Sequence, residues 1–412
     1  MKVALVSFLF EPEIGGGAAA AVRALAYGLA EQGVQVVVIT THPRRQITVE
    51  HTDGLTIYRF FPWNLYWVGE KDRQQVWRKV LWQLVDIWNP HPFWVVRHIL
   101  ERERPDIVHV HKLRGLSPAV WAAARAAGSI PVVQTCHDYE LMSPEGTLSS
   151  PVGSWARNGV CFLRPYQWIR ARFSRAVAAA TAPSRYTLEM LTERGFFPKA
   201  FKRVVPNSHG LSLEQVNKRR EEVTAKHISD DRTVRLLYLG RLETIKGVDL
   251  LCAAFERCAA RFPNLHLDIA GWGTLDRVLR QRYSRHPQIT FHGSVFGEDK
   301  ACLLAASDAL VVPSVWPEVF GIVIAEAYTY GKPVIATRSG GIPELVEEEK
   351  TGFLVSLGDV DALTEALCCV AEDPVVLHKM ALACFEVARR YAVEAVTEGY
   401  LAVYEAARGG QC

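Results

Sequence analysis

The sequence has no uninterrupted run of about 18 apolar residues, so nothing in it is long enough to be a membrane-spanning helix. Its nine cysteines include no CxxC pair and no Cys/His zinc spacing, which argues against a structural zinc and for reduced, buried thiols of a cytoplasmic protein. Strong net charge is also missing: at +3 the chain has no footprint for nucleic acid. Low-complexity tracts are absent, and 49% hydrophobic with 22% charged residues is the balance of a folded enzyme. The opening MKVALVSFLF reaches Glu11 without a small-residue cleavage site, and reads as a first strand rather than a leader. The glycines that follow form no GxGxxG with an acidic residue about 20 positions on, which argues against a dinucleotide-dependent oxidoreductase. One absence is local: residues 146–188 contain no Asp or Glu.

What is present is an alternation of strands and helices over 412 residues, a length for roughly two or three domains. KVALVSF, the helical AAAAVRALAYGLAEQG closed by Gly33, and VQVVVITT make a βαβ unit with Gly15, Gly16 and Gly17 in its first turn. DIVHVH (106–111), PVVQTC (131–136) and ATAPS (180–184) continue the series. A second cycle opens at VRLLYLG (234–240) and runs through a helix at 247–262, then LHLDIAG, ITFHG, ALVVPS and PVIATR. Continuous apolar strands of this kind belong to parallel sheets covered on both faces. The fold class expected is α/β, with two doubly wound Rossmann-like domains facing across a cleft and a C-terminal helix crossing back to the first. The boundaries expected are 1–207, 208–385 and 386–412, with the charged stretch KRREEVTAKHISDDR (218–232) as linker or edge.

Ligands of open parallel sheets sit at the carboxyl ends of the strands, and the polar clusters of this sequence fall there. Directly after VRLLYLG, RLETIKG carries Arg241 and Lys246 across a turn into a helix, two fixed cations suited to a diphosphate. AGWG brings Gly271 and Gly273 to the next strand end, where backbone can approach a ligand closely or simply pack in a tight turn. In EVFGIVIAE, Glu318 and Glu326 stand eight positions apart around almost wholly apolar residues. Eight residues of helix rise about 12 Å, so the two carboxylates are not each other's partners and each needs its own. The amides of Val319, Phe320 and Gly321, at the start of that helix, can face the same anion. His109 and His111 alternate along a strand and so share a face, with no third ligand at metal-binding spacing. Asp138 either orients His137 or caps the next turn.

The stretch PSVWPEVFGIVIAEAYTYGKPVIATRSGGIPELVEEEKTGFLV closely resembles the donor-site signature of family 4 retaining glycosyltransferases, which have the GT-B fold and belong with the glycogen synthase-like group 1 enzymes. GGG, HVH at 109–111, HD at 137–138, TAPS, VPN, LGRLETIKG and AGWG occur in the family's order, so the likeness covers nearly the whole chain. The resemblance implies that Arg241 and Lys246 hold the nucleotide diphosphate, and that Glu326 takes the ribose hydroxyls. It implies too that Glu318 contacts the transferred sugar, that His137 positions sugar hydroxyls near the reacting centre, and that Gly16 and Gly17 approach the phosphate. The implied reaction is hexosyltransferase-like, with retention, by front-face displacement, in polysaccharide, glycolipid or other glycoconjugate biosynthesis. The family requires no DxD motif, so neither a metal nor a cofactor is expected beyond the nucleotide-sugar substrate. Two departures stand out: VPNSHG delays the glycine of the usual PNG-like turn to Gly210, and AYTYG is bulkier than the family's small-residue version.

Trp63, Trp67, Trp77, Trp82, Trp88 and Trp94 are interleaved with Arg73, Arg78 and Lys79. In the acid-free segment, Arg157, Arg164, Arg170, Arg172 and Arg175 accompany Trp155, Tyr166, Trp168 and Phe173. Such belts suit an anionic bilayer surface, which points to a peripheral enzyme at the inner face of the membrane with a lipid-linked acceptor, a glycan being the other acceptor class. The competing arrangement puts the aromatics in the core and the arginines on a solvated face. A catalytically silent nucleotide-sugar-binding subunit is the rival function, with a GT-B epimerase or phosphorylase behind it.

Overall fold

The computed structural model describes residues 1–12, 16–146, 148, 160–225 and 233–409. The chain forms two compact units, Met1–Gly210 with Val393–Cys412, and Leu211–Ala392. The first contains β1 (Lys2–Val6), α1 (Gly16–Glu31), β2 (Gln35–Thr41), β3 (Thr48–Thr52), β4 (Leu55–Phe60), α2 (Val76–Ile87), α3 (Pro90–Glu103), β5 (Ile107–Val110), α4 (Ala119–Ala126), β6 (Val132–Thr135), α5 (Val160–Phe173), β7 (Ala179–Ala182), α6 (Arg185–Thr192) and β8 (Phe201–Val204). Its sheet runs β3-β4-β2-β1-β5-β6-β7-β8, parallel except where β3 pairs antiparallel with β4. That edge hairpin escapes a search for apolar strands because β3 reads TVEHT and is largely exposed. Inner strands such as β5 and β6 are buried at every position, as strands covered on both faces must be.

The second unit contains α7 (Leu213–Ala225), β9 (Val234–Leu239), α8 (Val248–Ala259), β10 (Leu265–Ala270), α9 (Asp276–Tyr283), β11 (Ile289–Gly293), α10 (Gly297–Ala306), β12 (Ala309–Val312), α11 (Ile322–Tyr328), β13 (Val334–Thr337), β14 (Gly352–Val355), α12 (Val360–Glu372) and α13 (Val375–Ala388). Its six strands are all parallel, in the order β11-β10-β9-β12-β13-β14. Two apolar clusters lie in this unit, one led by Leu251, Phe255 and Leu267, the other by Ile324, Tyr328 and Phe385. The Cys368 thiol donates to Cys258 Sγ at 2.8 Å between α12 and α8, whereas Cys302 and Cys369 are exposed rather than buried.

The charged stretch from 218 is no linker over its described part. It is the second half of α7: Arg219 donates to Thr329 Oγ1 at 2.9 Å and lies 4.1 Å from the Tyr330 ring centroid, and Arg220 pairs with Glu386 at 2.8 Å. The remainder, 226–232, lies outside the described residues. The bulky AYTYG is likewise accounted for, since the Tyr328 hydroxyl donates to Leu345 O at 3.2 Å inside the core.

The last helix, α14 (Val393–Arg408), returns to the first unit as expected. A Cβ on Gly28 of α1 would stand 2.4 Å from Thr397 Oγ1, so only glycine lets the two helices approach this closely. Tyr400 and Tyr404 then pack into the first unit's core.

Candidate active site

Strand direction puts the site residues of the second unit at one edge of its sheet. The loop leaving β9 holds Arg241 and Lys246; the loop leaving β12 holds Ser314, Trp316 and Glu318; the loop leaving β13 holds Ser339 and Gly341. Lys246 Nζ donates to Glu318 Oε1 at 2.6 Å and sits 4.8 Å from the Trp316 ring centroid. Ser314 Oγ donates to the same carboxylate oxygen at 2.6 Å, and the Glu318 side chain is nearly buried. Its backbone is clasped as well: Gly341 N donates to Glu318 O at 2.7 Å and Ser339 Oγ to Trp316 O. An ammonium so placed spends one of its three donors on Glu318 and keeps others for an anion. Arg241 is exposed and makes no ion pair among the described residues, its carbonyl accepting from the Tyr238 hydroxyl at 2.7 Å.

Glu326 lies on α11, which begins at Ile322 after Gly321 at φ 89°. Lys300 of α10 donates to its Oε1 at 2.6 Å, while Oε2 is buried with no hydrogen-bond partner among the described residues. The question posed by the spacing thus has a plain answer. Each carboxylate has its own lysine, and Glu326 keeps one oxygen free for a hydroxyl donor.

At the carboxyl edge of the first sheet the chemistry is different. His109 of β5 has Tyr404 Oη 2.7 Å from Nδ1 and Thr135 Oγ1 2.7 Å from Nε2. His111 Nδ1 lies 2.9 Å from His137 Nε2, with the rings stacked at 5.2 Å. One of these two nitrogens donates and the other accepts, so the pair fixes both tautomers together. The outer nitrogens, His111 Nε2 and His137 Nδ1, are buried with no hydrogen bond of good geometry among the described residues. Burial, then the nearby Lys112 charge, holds the His137 pKa down to about 4. His109 and His111 are held well below the usual range, chiefly by burial. All three rings are therefore neutral near pH 7.

Two family models match in succession, Glycosyltransferase Family 4 over residues 15–209 and Glycosyl transferases group 1 over residues 233–373. Between them they take in most of the chain and both sheet edges. The chain belongs to the group 1 and family 4 glycosyltransferases. A phosphatidyl-myo-inositol mannosyltransferase of Mycobacterium leprae is 28% identical to it over 301 residues, 73% of each chain. Sucrose-phosphate synthase of Thermosynechococcus elongatus shares its fold with a TM-score of 0.74, 20% identity and 98% coverage of both chains. HepE of Anabaena, solved in complex with UDP, gives a TM-score of 0.68 at 20% identity over 98% of this chain and 99% of that one. The two Rossmann-like units of this glycosyltransferase make the GT-B fold.

Several residues singled out from the sequence take positions with their own structural reasons. A Cβ on Gly271 would lie 1.8 Å from Gly240 O, and one on Gly273 2.4 Å from Leu242 O. These glycines let the β10 loop zip onto the β9 loop, with Leu242 N donating to Trp272 O at 2.9 Å. Their requirement is met by tight packing that holds the Arg241 loop in place. Val319 and Phe320 are buried, Phe320 standing edge-on to Tyr391 at 5.5 Å. Gly16 starts α1 at φ 80° with open space where a Cβ would be, and Gly17 follows it; Gly15 lies outside the described residues. Asp138 caps a turn, accepting from Glu140 N at 2.9 Å and pairing with Lys112, so the partner of His137 is His111. The acids of GDVDA (358–362), not among those singled out, start a helix: Asp359 accepts from Ala362 N at 2.9 Å and Asp361 pairs with Arg257 at 2.6 Å.

Ser314, Trp316, Lys300 and the His111–His137 pairing carry the site's geometry without having been assigned roles from the sequence. Trp316 lies inside the quoted signature, so the indole under Lys246 had a visible signal. Lys300 had none, standing 26 residues from Glu326 on another helix.

Proposed function

We propose that this glycosyltransferase is retaining, and moves a sugar from a nucleotide-diphosphate sugar to a hydroxyl of a glycan or lipid-linked acceptor in glycoconjugate biosynthesis. The observation that carries the reading is the Lys246 ammonium, held between the Glu318 carboxylate and the Trp316 ring with donors to spare. A fixed cation, with the exposed Arg241 on the same loop, suits a diphosphate whose negative charge grows as it leaves. The unpartnered Glu326 Oε2 suits a ribose hydroxyl, and the nearly buried Glu318 suits the transferred sugar. HepE was solved with UDP, and the mycobacterial relative is named a mannosyltransferase, both in keeping with a nucleotide-sugar donor.

In the proposed step the acceptor oxygen attacks the anomeric carbon on the face from which the diphosphate departs. The bond from that carbon to the phosphate oxygen breaks, and the acceptor's proton passes to a phosphate oxygen. His137, as a neutral ring, orients sugar hydroxyls and forms no covalent bond. No metal is assigned a part. The reaction is assigned to the cytoplasm, at the inner membrane face when the acceptor is lipid-linked.

A panel of UDP-, GDP- and ADP-sugars tests this, first by donor hydrolysis without acceptor and then by NMR of the transferred product. The expected result is turnover of at least one donor, indifferent to EDTA, with the donor's anomeric configuration kept. An inverted anomer overturns retention. Binding of a donor without any turnover favours the silent subunit instead.

A further inference from the structure

The aromatic and arginine belts of the sequence separate into two populations in the structure. Trp82 is 3% exposed and donates from its indole to Tyr66 O at 2.9 Å. Arg170 is buried against Asp86, donating to Asp86 O at 3.1 Å and lying 3.5 Å from its carboxylate. These two belong to the core, whereas Trp63, Trp77, Trp88, Trp94 and Trp168 are exposed; Trp155 and Arg157 lie outside the described residues. Along α2, Val76, Trp77, Val80, Leu81, Leu84 and Val85 are all exposed, Val76 by 77% and Trp77 by 58%. Their spacing, adjacent pairs repeated every four residues, places them on one side of the helix, opposite the buried Trp82 and Asp86. The helix is thus turned with its apolar face outward. A contiguous outward apolar face of this kind marks a surface at which something outside the chain is met.

We propose that this face of α2 is a docking surface for an anionic phospholipid bilayer, on which the enzyme lies peripherally. The inference rests on the reading of a lipid-linked acceptor and names the surface that meets the lipid. Charge decides the occupant. The one acid of α2, Asp86, is turned inward to Arg170. On the adjoining α5, Arg164, the 69% exposed Trp168 and Arg172 follow one another at one-turn intervals. Arg170 bonded to Asp86, and Trp88 tilted against Phe173 at 5.0 Å between ring centroids, hold α5 against the end of α2. Residues 146–188 offer no carboxylate to repel a phosphate. Exposed Trp63, Trp88 and Trp94 add indoles, whose apolar body and polar N–H suit the headgroup level. A helix with an apolar face and basic flanks lies in the interface plane, its apolar side in the acyl boundary. At 12 residues, or about 18 Å, α2 is far too short to span.

The test is co-sedimentation of the full chain with vesicles of phosphatidylcholine alone, or with about one-third phosphatidylglycerol, at low and high salt. The expected result is binding to the anionic vesicles, weakened by salt. Leu81→Glu with Leu84→Glu should lower it at least about tenfold while donor hydrolysis without vesicles stays at the wild-type rate. Arg164→Ala with Arg172→Ala should remove chiefly the salt-sensitive part. Absence of wild-type binding to both vesicle types overturns the proposal, as does unchanged binding by the Leu81/Leu84 variant. A lipid-free dimer dissolved by that variant also overturns it, giving the face to a second copy. If no donor is turned over while vesicle binding and its loss behave as stated, the transferase reading fails and the docking surface stands.

Discussion

At the carboxyl edge of the first sheet three buried imidazoles stand beside a single Lys112–Asp138 ion pair, whereas at the carboxyl edge of the second the carboxylates of Glu318 and Glu326 are each held by a lysine. Both edges arise from the same local rule: a buried parallel strand ends, and the loop beyond it carries the polar groups. The difference lies in what burial does to each group. A buried histidine sheds its proton and survives on neutral hydrogen bonds, as His109 does between Tyr404 and Thr135. At the second edge the buried partner is a carboxylate instead, and Glu318 is paired with Lys246 at 2.6 Å. The second edge is therefore fit to hold a multiply charged ligand, and the first to orient uncharged hydroxyls.

The sharpest way to break this contrast is to remove charge from the second edge without disturbing its packing. Lys246→Gln keeps a donor within reach of Glu318 but deletes the cation. Transfer should fall by roughly 10²–10³-fold in kcat/KM, with the circular dichroism spectrum unchanged, as expected when a fixed charge that stabilises a leaving group is lost. Wild-type rates in the variant would remove Lys246 from the site.

The first edge should answer to the same manipulation more weakly. His137→Gln replaces one neutral hydrogen-bonding group by another, so a loss of about 10–100-fold is expected. Because burial keeps the His137 pKa near 4, the wild-type rate should show no imidazole titration between about pH 5.5 and 8. An inflection near pH 6.5 that vanishes in His137→Gln would mean that the ring works as a charged acid, contrary to the assignment.

The contrast also explains what could be read without coordinates. Arg241, Lys246, Glu318 and Glu326 were legible because each lies in the loop or the helix that follows a strand, inside a recognisable string. Their partners were not. Lys300 reaches Glu326, and His111 reaches His137, across 26 residues in each case, and such pairings follow from strand order rather than spacing. The β3–β4 hairpin was missed because its outer strand is polar, and the helix from 213 because its charges masked a packed face. Gly271 and Gly273 were found for a ligand's sake, yet backbone contact with Gly240 and Leu242 already requires them. The outward face of α2 was visible as tryptophan content, but only burial separates Trp77 from Trp82.

The smallest expected effect concerns stability rather than rate, and it follows from the sign of the shifts. An unfolded imidazole takes up a proton as pH falls through about 6.5, whereas folded His137 resists until about 4. Over that window the unfolded state binds more protons, so stability contributed by the neutral cluster is lost as pH falls, and the loss is complete below both values. Asp86, pushed up to about 7 chiefly by burial despite Arg170, works the other way and offsets part of the decline. In the second unit, Glu347 is held below its usual range, first by its bond from Lys350, so its contribution persists until pH falls below about 4.5. Hydrogen exchange followed by mass spectrometry between pH 7 and 4.5 should therefore show the strands around His109 and His137 losing protection before those around Lys246. His111→Asn should narrow the gap, because one ionisable ring leaves the cluster while the second unit is untouched. Equal loss in both units, or earlier loss in the second, would show that the buried imidazoles do not set the acid response of the edge they occupy.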